Sequence, residues 1–305
     1  MELSVVKKGT LIEKATTGAD GTAKFTADLP IGYSYSVKED QAPEGYVRNT
    51  EDVYTFQFSY TNDKEATVSF AHTFSNDRVT AKINLYKVDK ETGKAVPQGD
   101  ATLKGAVYGL YAREDVVHPD GATGTIYKAG EQVASLTTDD KGQACVDGLY
   151  LGKYYVKEIT PPTGYLADTE EHDLVCSYEG DMTAEVKREC TSSEQVIKQP
   201  FQIIKAANNG KTDADLLSGA GFTVYLKSSL TKKADGSYDF DSAKPVVSGE
   251  NGATEIFTDE KGYACSIPLP FGSYIVRETT TPHNYKPVDD FEVNITCLLY
   301  TSDAA

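Results

Sequence analysis

The hydrophobic pattern along the chain is that of β-strands. Apolar and polar residues alternate in short runs such as KINLYKVD, FQIIKA and GFTVYL, and Gly, Asp and Pro residues separate these runs. Successive side chains of a strand point to opposite faces, so this alternation predicts strands with one buried face. We find no helix-length stretch with a period of 3.6 residues. The pattern therefore predicts an all-β protein.

One box of sequence occurs three times, as YSVKEDQAPEGY, YYVKEITPPTGY and YIVRETTTPHNY. Its Glu residues are Glu39, Glu158 and Glu278, separated by 119 and 120 residues. Each box follows a turn and a Leu-rich corner: LPIG, LYLG or LPFG. Two copies also share an opening segment, whose Lys residues are Lys87 and Lys205. A period of this length is that of whole domains, because a β-sandwich has roughly 100 residues.

The repeat divides the chain into three modules, of which we expect one to be complete. Residues 1–77 begin in mid-module and lack the opening strands, residues 78–196 form the complete module, and residues 197–305 lose their last strand. The sequence departs from the pattern from about residue 297, where CLLYTSDAA resembles the read-through tails of metagenomic reading frames. The expected fold is a tandem, elongated array of immunoglobulin-like β-sandwich modules.

Carboxyl groups occupy strand positions that face the core. Glu158 shares its face with Tyr154 and Val156, and the other two boxes repeat this arrangement. Burial disfavours a charged group, so a buried Glu tends to become protonated and can then relay protons. The alternative is that each Glu lies exposed at the rim of its sheet. Because the Glu recurs in register in all three copies, the pattern favours burial.

Lysine shows the same pattern in the opening strands. Lys87 shares its face with Ile83 and Leu85, and Lys205 occupies the same position in the third module. A buried Lys tends to lose its proton, and the neutral amine is a nucleophile. If an Asn or Asp side chain is held against both groups, proximity can drive amide formation. The alternative is a Lys that extends to solvent along its own aliphatic stem.

These motifs resemble the Cna B-type modules, also called SpaA-like or prealbumin-like domains, of Gram-positive adhesins and pilins. The residues that carry the resemblance are the Lys-x-Asp opening at Lys87 and Asp89, the Leu-x-Gly-Ala-x-Tyr/Phe strand, and the Tyr-x-Val-x-Glu box. The resemblance covers nearly the whole chain except its tail. It implies stalk modules in which a first-strand Lys joins a last-strand Asn or Asp, and a buried Glu catalyses this bond once.

The resemblance assigns a role to each candidate. The crosslinking Lys residues are Lys87 and Lys205, the one-time catalysts are Glu39, Glu158 and Glu278, and the acceptor of the first module is Asn76, at the end of its last strand.

The acceptor position of the complete module carries Glu194, which is longer than the usual Asn or Asp. No module then holds all three groups in the expected places, and we expect no isopeptide bond in this chain.

Composition excludes several classes of function. The formal net charge is −16, so the chain repels phosphate backbones and we expect no nucleic-acid partner. Five Cys and four His residues form no metal-binding motif, and we expect neither a metal nor a cofactor. No Ser-His-Asp or metal constellation is apparent, so we expect no enzyme. No apolar run has membrane-spanning length.

The predicted function is that of a structural stalk segment of a bacterial surface protein. It would be extracellular and attached to the cell wall, with the signal peptide and the anchor outside this fragment. Its partners would be the neighbouring modules of the same polypeptide. The alternative is a module that binds a host or matrix protein through an insertion, either residues 112–133 with Tyr127 or residues 228–254 with Tyr238.

Overall fold

Strands dominate the structure, a computed structural model that describes residues 7–59, 68–208 and 215–296. Strand accounts for 41% of the structure and helix for 2%, so the all-β prediction is confirmed. The helical part comprises the 3-10 turns Lys227–Ser229 and Glu250–Gly252. The tail predicted from about residue 297 lies outside the described residues.

The first module contributes one antiparallel pair, β1 (Ser34–Lys38) and β2 (Val53–Gln57). The segment 68–76, predicted to be its last strand, is not a strand, because it has no ladder of backbone hydrogen bonds to a neighbour. Its aromatic row still faces β2 as the alternation predicts. The Phe70 ring lies 5.1 Å from Phe56, and His72 stacks on Tyr54 at 4.6 Å.

The second module is a sandwich of two sheets. Its strands are β3 (Thr80–Asp89), β4 (Val107–Ala112), β5 (Val116–Val117), β6 (Thr125–Tyr127), β7 (Gln132–Thr137), β8 (Gln143–Leu149), β9 (Gly152–Thr160), β10 (Glu171–Cys176) and β11 (Glu185–Glu194). One sheet has the order β10-β9-β4-β7, the other has the order β11-β3-β8, and β5 pairs with β6 as a separate hairpin.

The core lies between these two sheets. Every second residue of β3 is buried, as its alternating sequence predicts, and Ile83 and Leu85 are fully inaccessible. They pack with Tyr108 and Leu110 of β4 and with Tyr154 of β9. The apolar faces of the two sheets thus bury each other, which is the arrangement expected of a β-sandwich.

The first and last strands of the second module pair with each other. β11 runs parallel to β3 along ten residue pairs, from Glu185 opposite Thr80 to Glu194 opposite Asp89. Ser192 lies directly opposite Lys87. Both strands therefore point away from the first module, and the ends of β3 and β11 lie side by side.

The third module repeats part of this plan. Its strands are β12 (Lys198–Gln199), β13 (Gln202–Ile204), β14 (Gly221–Leu226), β15 (Thr231–Lys232), β16 (Tyr238–Asp239), β17 (Glu255–Phe257), β18 (Tyr263–Cys265), β19 (Leu269–Pro270), β20 (Gly272–Thr280) and β21 (Phe291–Ile295). The sheet β17-β14-β20-β21 corresponds to the four-stranded sheet of the second module, and β13 pairs with β18 as β3 does with β8.

Truncation of a core side chain tests this packing. We expect Leu85→Ala to lower the free energy of unfolding of the second module by about 2–5 kcal/mol, because it leaves a cavity between the sheets. The matched control is Ile159→Ala on β9, where the side chain is 51% exposed and the loss should be about 0.5 kcal/mol or less. Denaturant-dependent hydrogen exchange of β3 amides measures both. Equal losses would contradict the assigned core.

Candidate functional site

The site of the second module is built around Lys87, which is fully buried on the core face of β3. Its Nζ is in direct contact with Glu194 Oε1 and lies 3.5 Å from Glu158 Oε1. The side chains of both carboxylates are 1% exposed. The Tyr165 ring also faces the amine, with its centroid 5.5 Å from Nζ. One amine and two carboxyl groups therefore share a site closed to water.

Register explains how Glu194 reaches the amine. The residue directly opposite Lys87 is Ser192, and Glu194 lies two residues further along the same face of β11. The end of β11 is fixed by an isolated bridge between Tyr165 and Val196. The first module has the corresponding bridge between Tyr46 and Arg78, just after Asn76. Glu194 and Asn76 thus occupy equivalent places in the two modules.

Tyr108 holds the carboxylate of Glu194. Its hydroxyl donates a hydrogen bond of 2.8 Å to Glu194 Oε1, and Tyr108 lies opposite Glu158 in the pairing of β4 with β9. Glu194 Oε2 has no hydrogen-bond partner among the described residues. In the third module Phe222 takes the place of Tyr108 opposite Glu278, so the hydroxyl donor is particular to the second module.

Glu158 is fixed by the backbone. The N–H of Asp168 donates to Glu158 Oε2 at 2.7 Å, which leaves Oε1 facing Lys87 without a hydrogen bond in the described part of the chain. The third module repeats this contact, since the N–H of Val288 donates to Glu278 Oε2 at 2.8 Å. The ten residues that follow the Glu therefore form a loop that turns back onto its carboxylate.

A second set of polar side chains leads from the site to the surface. Ser192 Oγ lies 3.3 Å from Glu194 Oε1 and donates to Asp168 Oδ2 at 2.8 Å. The same Asp168 oxygen lies 2.8 Å from Nε2 of His172, whose side chain is 21% exposed. Burial raises the pKa of Asp168, but hydrogen bonds from His172, the Glu170 N–H and Ser192 outweigh it, so that pKa is lowered.

Burial also sets the state of the amine. It lowers the pKa of Lys87 to about 8, and the nearby carboxylates of Glu158 and Asp168 oppose this effect only in part. A lysine with such a pKa carries a much larger fraction of neutral amine near neutral pH than an exposed lysine does. The amine is thus prepared to act as a nucleophile.

The third module contains an incomplete version of the site. Lys205 and Glu278 are both buried, and Lys205 Nζ donates to Glu278 Oε2 at 2.7 Å. A cavity of about 580 Å³ opens beside this pair and is lined by Phe201, Phe222 and Phe291 among others. In the second module β11 lies along the corresponding strand, β3.

The first module contains the complementary part. Its Glu39 is half-buried rather than buried as the repeat predicts, because no second sheet covers β1 and β2 among the described residues. Asn76, the predicted acceptor, donates through Nδ2 to Glu39 Oε2 at 2.6 Å and to the carbonyl of Val47 at 2.9 Å. The structure therefore brings together Glu39 with Asn76, Lys205 with Glu278, and Lys87 with both Glu158 and Glu194.

Sequence reasoning did not identify Tyr108, Ser192, Asp168 and His172 as parts of this site. A signal existed for Tyr108, because the repeated opening segment has Tyr in one copy and Phe in the other. The remaining three join the site through the β11 register and the loop after β9, which alternation alone does not specify. The prediction that this chain forms no isopeptide bond rested on the length of Glu194. The structure places the Glu194 carboxylate at the Lys87 amine, which removes the reason for that prediction.

Comparison with known proteins identifies this architecture. The family model of the SpaA prealbumin-like fold domain matches residues 1–72, 81–189 and 200–300. The chain belongs to this family. The predicted resemblance is thus confirmed, and each SpaA-type segment contains one copy of the Glu box. No curated protein matches the chain.

Solved structures match the chain at low sequence identity, and one of them has a TM-score above 0.5. The Bacillus anthracis TIE protein is 24% identical, with a TM-score of 0.55; the match covers 92% of this chain and 42% of that one. The chain thus spans less than half of that protein's length. The shaft pilin SpaA of Lactobacillus rhamnosus GG is 19% identical over 72% of this chain and 94% of that one, with a TM-score of 0.27. The minor pilin GBS52 of Streptococcus agalactiae is 17% identical over 70% and 90%, with a TM-score of 0.26.

The described residues contain neither a candidate metal centre nor a membrane-spanning helix. Among residues 7–59, 68–208 and 215–296, no group of three or more His, Cys, Asp or Glu side chains is arranged to hold a metal ion. No helix in these ranges is long and apolar enough to cross a membrane.

The depressed pKa of Lys87 predicts a specific pH dependence in the variant Glu194→Leu, which leaves the amine buried beside Glu158. Below pH 8 the Lys is protonated in both the folded and unfolded states, and the full cost of burying its charge is present. Between about pH 8 and about pH 10.5 the unfolded state binds more protons, so stability should rise with pH. Chemical unfolding across this range measures the rise. The double variant Glu194→Leu/Lys87→Met should lack it, and identical pH profiles would contradict the assignment.

Proposed function

We propose that this chain is a structural segment of a Gram-positive surface stalk or pilus-like protein, and that Lys87 and Glu194 join covalently to close its complete module. Membership of the SpaA prealbumin-like family supports the structural role. An extracellular, wall-attached location is part of the same proposal. The observation that carries the covalent step is the direct contact between Lys87 and Glu194 in a buried site that also contains Glu158.

The topology suits a protein that carries tension. The chain enters the second module at the start of β3 and leaves it at the end of β11. Pulling on both ends shears the parallel pair, so the hydrogen bonds along it resist together rather than one at a time. A bond from Lys87 to Glu194 would pass the force directly from β3 to the exit of the module. The residues between them would then carry no load.

The side chains can perform the condensation without a cofactor. Glu158 Oε1 accepts a proton from the Lys87 ammonium, and the neutral Nζ attacks Cδ of Glu194. Tyr108 stabilises the negative charge that develops on Oε1 of Glu194, because its hydroxyl already donates there. Two protons leave Nζ in turn, and Glu158 carries each of them to Oε2 of Glu194. Oε2 then departs as water. The C–N bond forms, the C–O bond breaks, and Glu158 ends unchanged.

The energetics of the site favour this product. A buried ammonium and carboxylate have a large desolvation cost, which their mutual attraction offsets only in part. Condensation replaces the two charges with a neutral amide and releases water to the solvent. Fixed proximity supplies much of the barrier reduction, since the amine and the carboxyl group are held together by the paired strands. The reaction occurs once per chain and involves no turnover.

Intact mass of the denatured, reduced chain tests this proposal. We expect the wild-type chain to be lighter than its sequence mass by one water. Glu194→Gln should instead lose one ammonia, because its leaving group is the amide nitrogen, and it should give a product of the same mass as the linked wild type. A Lys87–Glu194 branched peptide should appear in the digest.

Matched variants complete the test. Lys87→Met and Glu158→Ala should retain the full sequence mass, whereas Lys205→Met should still show the loss of water because it alters only the third module. A wild-type chain at its full sequence mass would refute the covalent step. The parallel closure of the module by a buried ion pair would then remain as the structural basis of the stalk.

Binding of a host or matrix protein stays a prediction. The aromatic residues that suggested it contact other parts of the chain. Tyr127 packs against the core of the second module, with its ring 6.3 Å from Tyr150, and Tyr238 lies 6.3 Å from Phe240. These contacts provide no specific support for a ligand site.

A further inference from the structure

The Gly-Tyr turn at the end of the first and second Glu boxes meets the next module. In the second module the N–H of Ile197 donates to the carbonyl of Gly164 at 2.9 Å, and Phe271 of the third module packs on the same glycine. In the first module the N–H of Val79 donates to the carbonyl of Gly45 at 2.8 Å. The two joints therefore start from the same backbone contact.

The joint between the second and third modules has its own small core. Tyr165 and Val196 pack with Ala101 and Leu103 of the second module, and Phe271 of the third module completes the cluster. Backbone hydrogen bonds of 2.8 Å run from the Phe271 N–H to the carbonyl of Ile197 and from the Asp100 N–H to the carbonyl of Phe271. Apolar contact and backbone pairing thus hold the same joint.

The joint between the first and second modules uses different side chains for the same purpose. Arg78, which forms a backbone bridge with Tyr46 of the first module, lies over the Tyr150 ring, 3.7 Å from its centroid, and donates to the carbonyl of Leu149 at 2.8 Å. Pro119, from the insertion 112–133, packs on Gly45. The loop between β5 and β6, within that insertion, is therefore in contact with the preceding module.

The turn itself does not require glycine. Gly45 and Gly164 both have φ of 86°, a region that favours glycine. The third module has Asn284 at the same place, with φ of 69°. Its turn is still closed by a hydrogen bond, from the Tyr285 N–H to the carbonyl of Pro282. Asn adopts this left-handed conformation at modest cost.

Close approach does require glycine at the two joints. A Cβ at Gly45 would lie 2.5 Å from Cβ of Pro119, and a Cβ at Gly164 would lie 2.6 Å from Cβ of Ala101 and 2.9 Å from the Phe271 ring. Tyr165, next to Gly164, is 3% exposed and packs in the small core that Phe271 completes. The glycine thus marks the turns on which another module packs.

We propose that the Gly-Tyr turn is a docking surface for the following module, and that Gly45 and Gly164 hold the three modules as one rigid unit. The partner of each turn is the corner of the next module: Pro119 and Tyr150 in one case, Phe271 in the other. A side chain at either glycine position would prevent docking in this geometry. The insertion 112–133 then serves to fix the preceding module.

Grafting the asparagine of the third module onto the joints tests the proposal. In the full chain, Gly45→Asn and Gly164→Asn should keep the turn but separate the modules. Amide exchange of Val79 should accelerate at least about tenfold in the first variant, and that of Ile197 in the second, because their acceptor carbonyls move away. Small-angle scattering should show a broader distribution of distances between modules in each variant.

Gly236→Asn is the matched control, since Gly236 also has φ of 86° and a Cβ there would meet nothing within 4 Å. It should change neither measurement. Exchange of the Leu85 amide distinguishes separation of modules from unfolding of the second module. Gly164→Asn could accelerate exchange at both Ile197 and Leu85. In that case Phe271→Ala, which removes the same contact from the third module, should accelerate exchange at Ile197 alone. Unchanged exchange of Val79 and Ile197 in all three joint variants, or rapid exchange of both amides in the wild type, would overturn the proposal.

Discussion

The parallel pairing of β3 with β11 is the constraint on which the rest of the second module depends. It brings the first and last strands of the module together and places Glu194 two residues beyond the partner of Lys87. A shift of one residue would turn Glu194 to the opposite face, because side chains alternate along a strand. The buried site and the position of the exit to the third module both follow from this one register.

The three modules show which parts of the site are shared and which are particular to the second module. The loop that returns to the Glu carboxylate occurs in all three, with a backbone N–H as donor each time. Tyr108 and the chain of Ser192, Asp168 and His172 surround only the site that contains Glu194. The longer side chain of Glu194, compared with Asn76 of the first module, is therefore accommodated by a hydroxyl donor on its oxygen and by polar residues behind it.

The same loop connects the site to the joint between modules. Tyr165 ends the Glu box, faces the Lys87 amine, donates from its hydroxyl to Asp89 at 3.0 Å, and belongs to the small core that Phe271 completes. The surroundings of the Lys87 amine and the contact with the third module are thus built from one segment.

The sequence by itself determined the strand content, the period of the modules, and the burial of Lys87, Glu158, Lys205 and Glu278, because each of these follows from local alternation and its repetition. Counting along the repeat also identified Glu194 as the residue equivalent to Asn76. Only the tertiary structure decided that Glu194 contacts Lys87, that Tyr108 and Asp168 complete the site, and that segment 68–76 forms no strand. These outcomes depend on which strands pair, in which register, and on which loops turn back over them. Such contacts join residues far apart in the chain, and alternation carries no information about them.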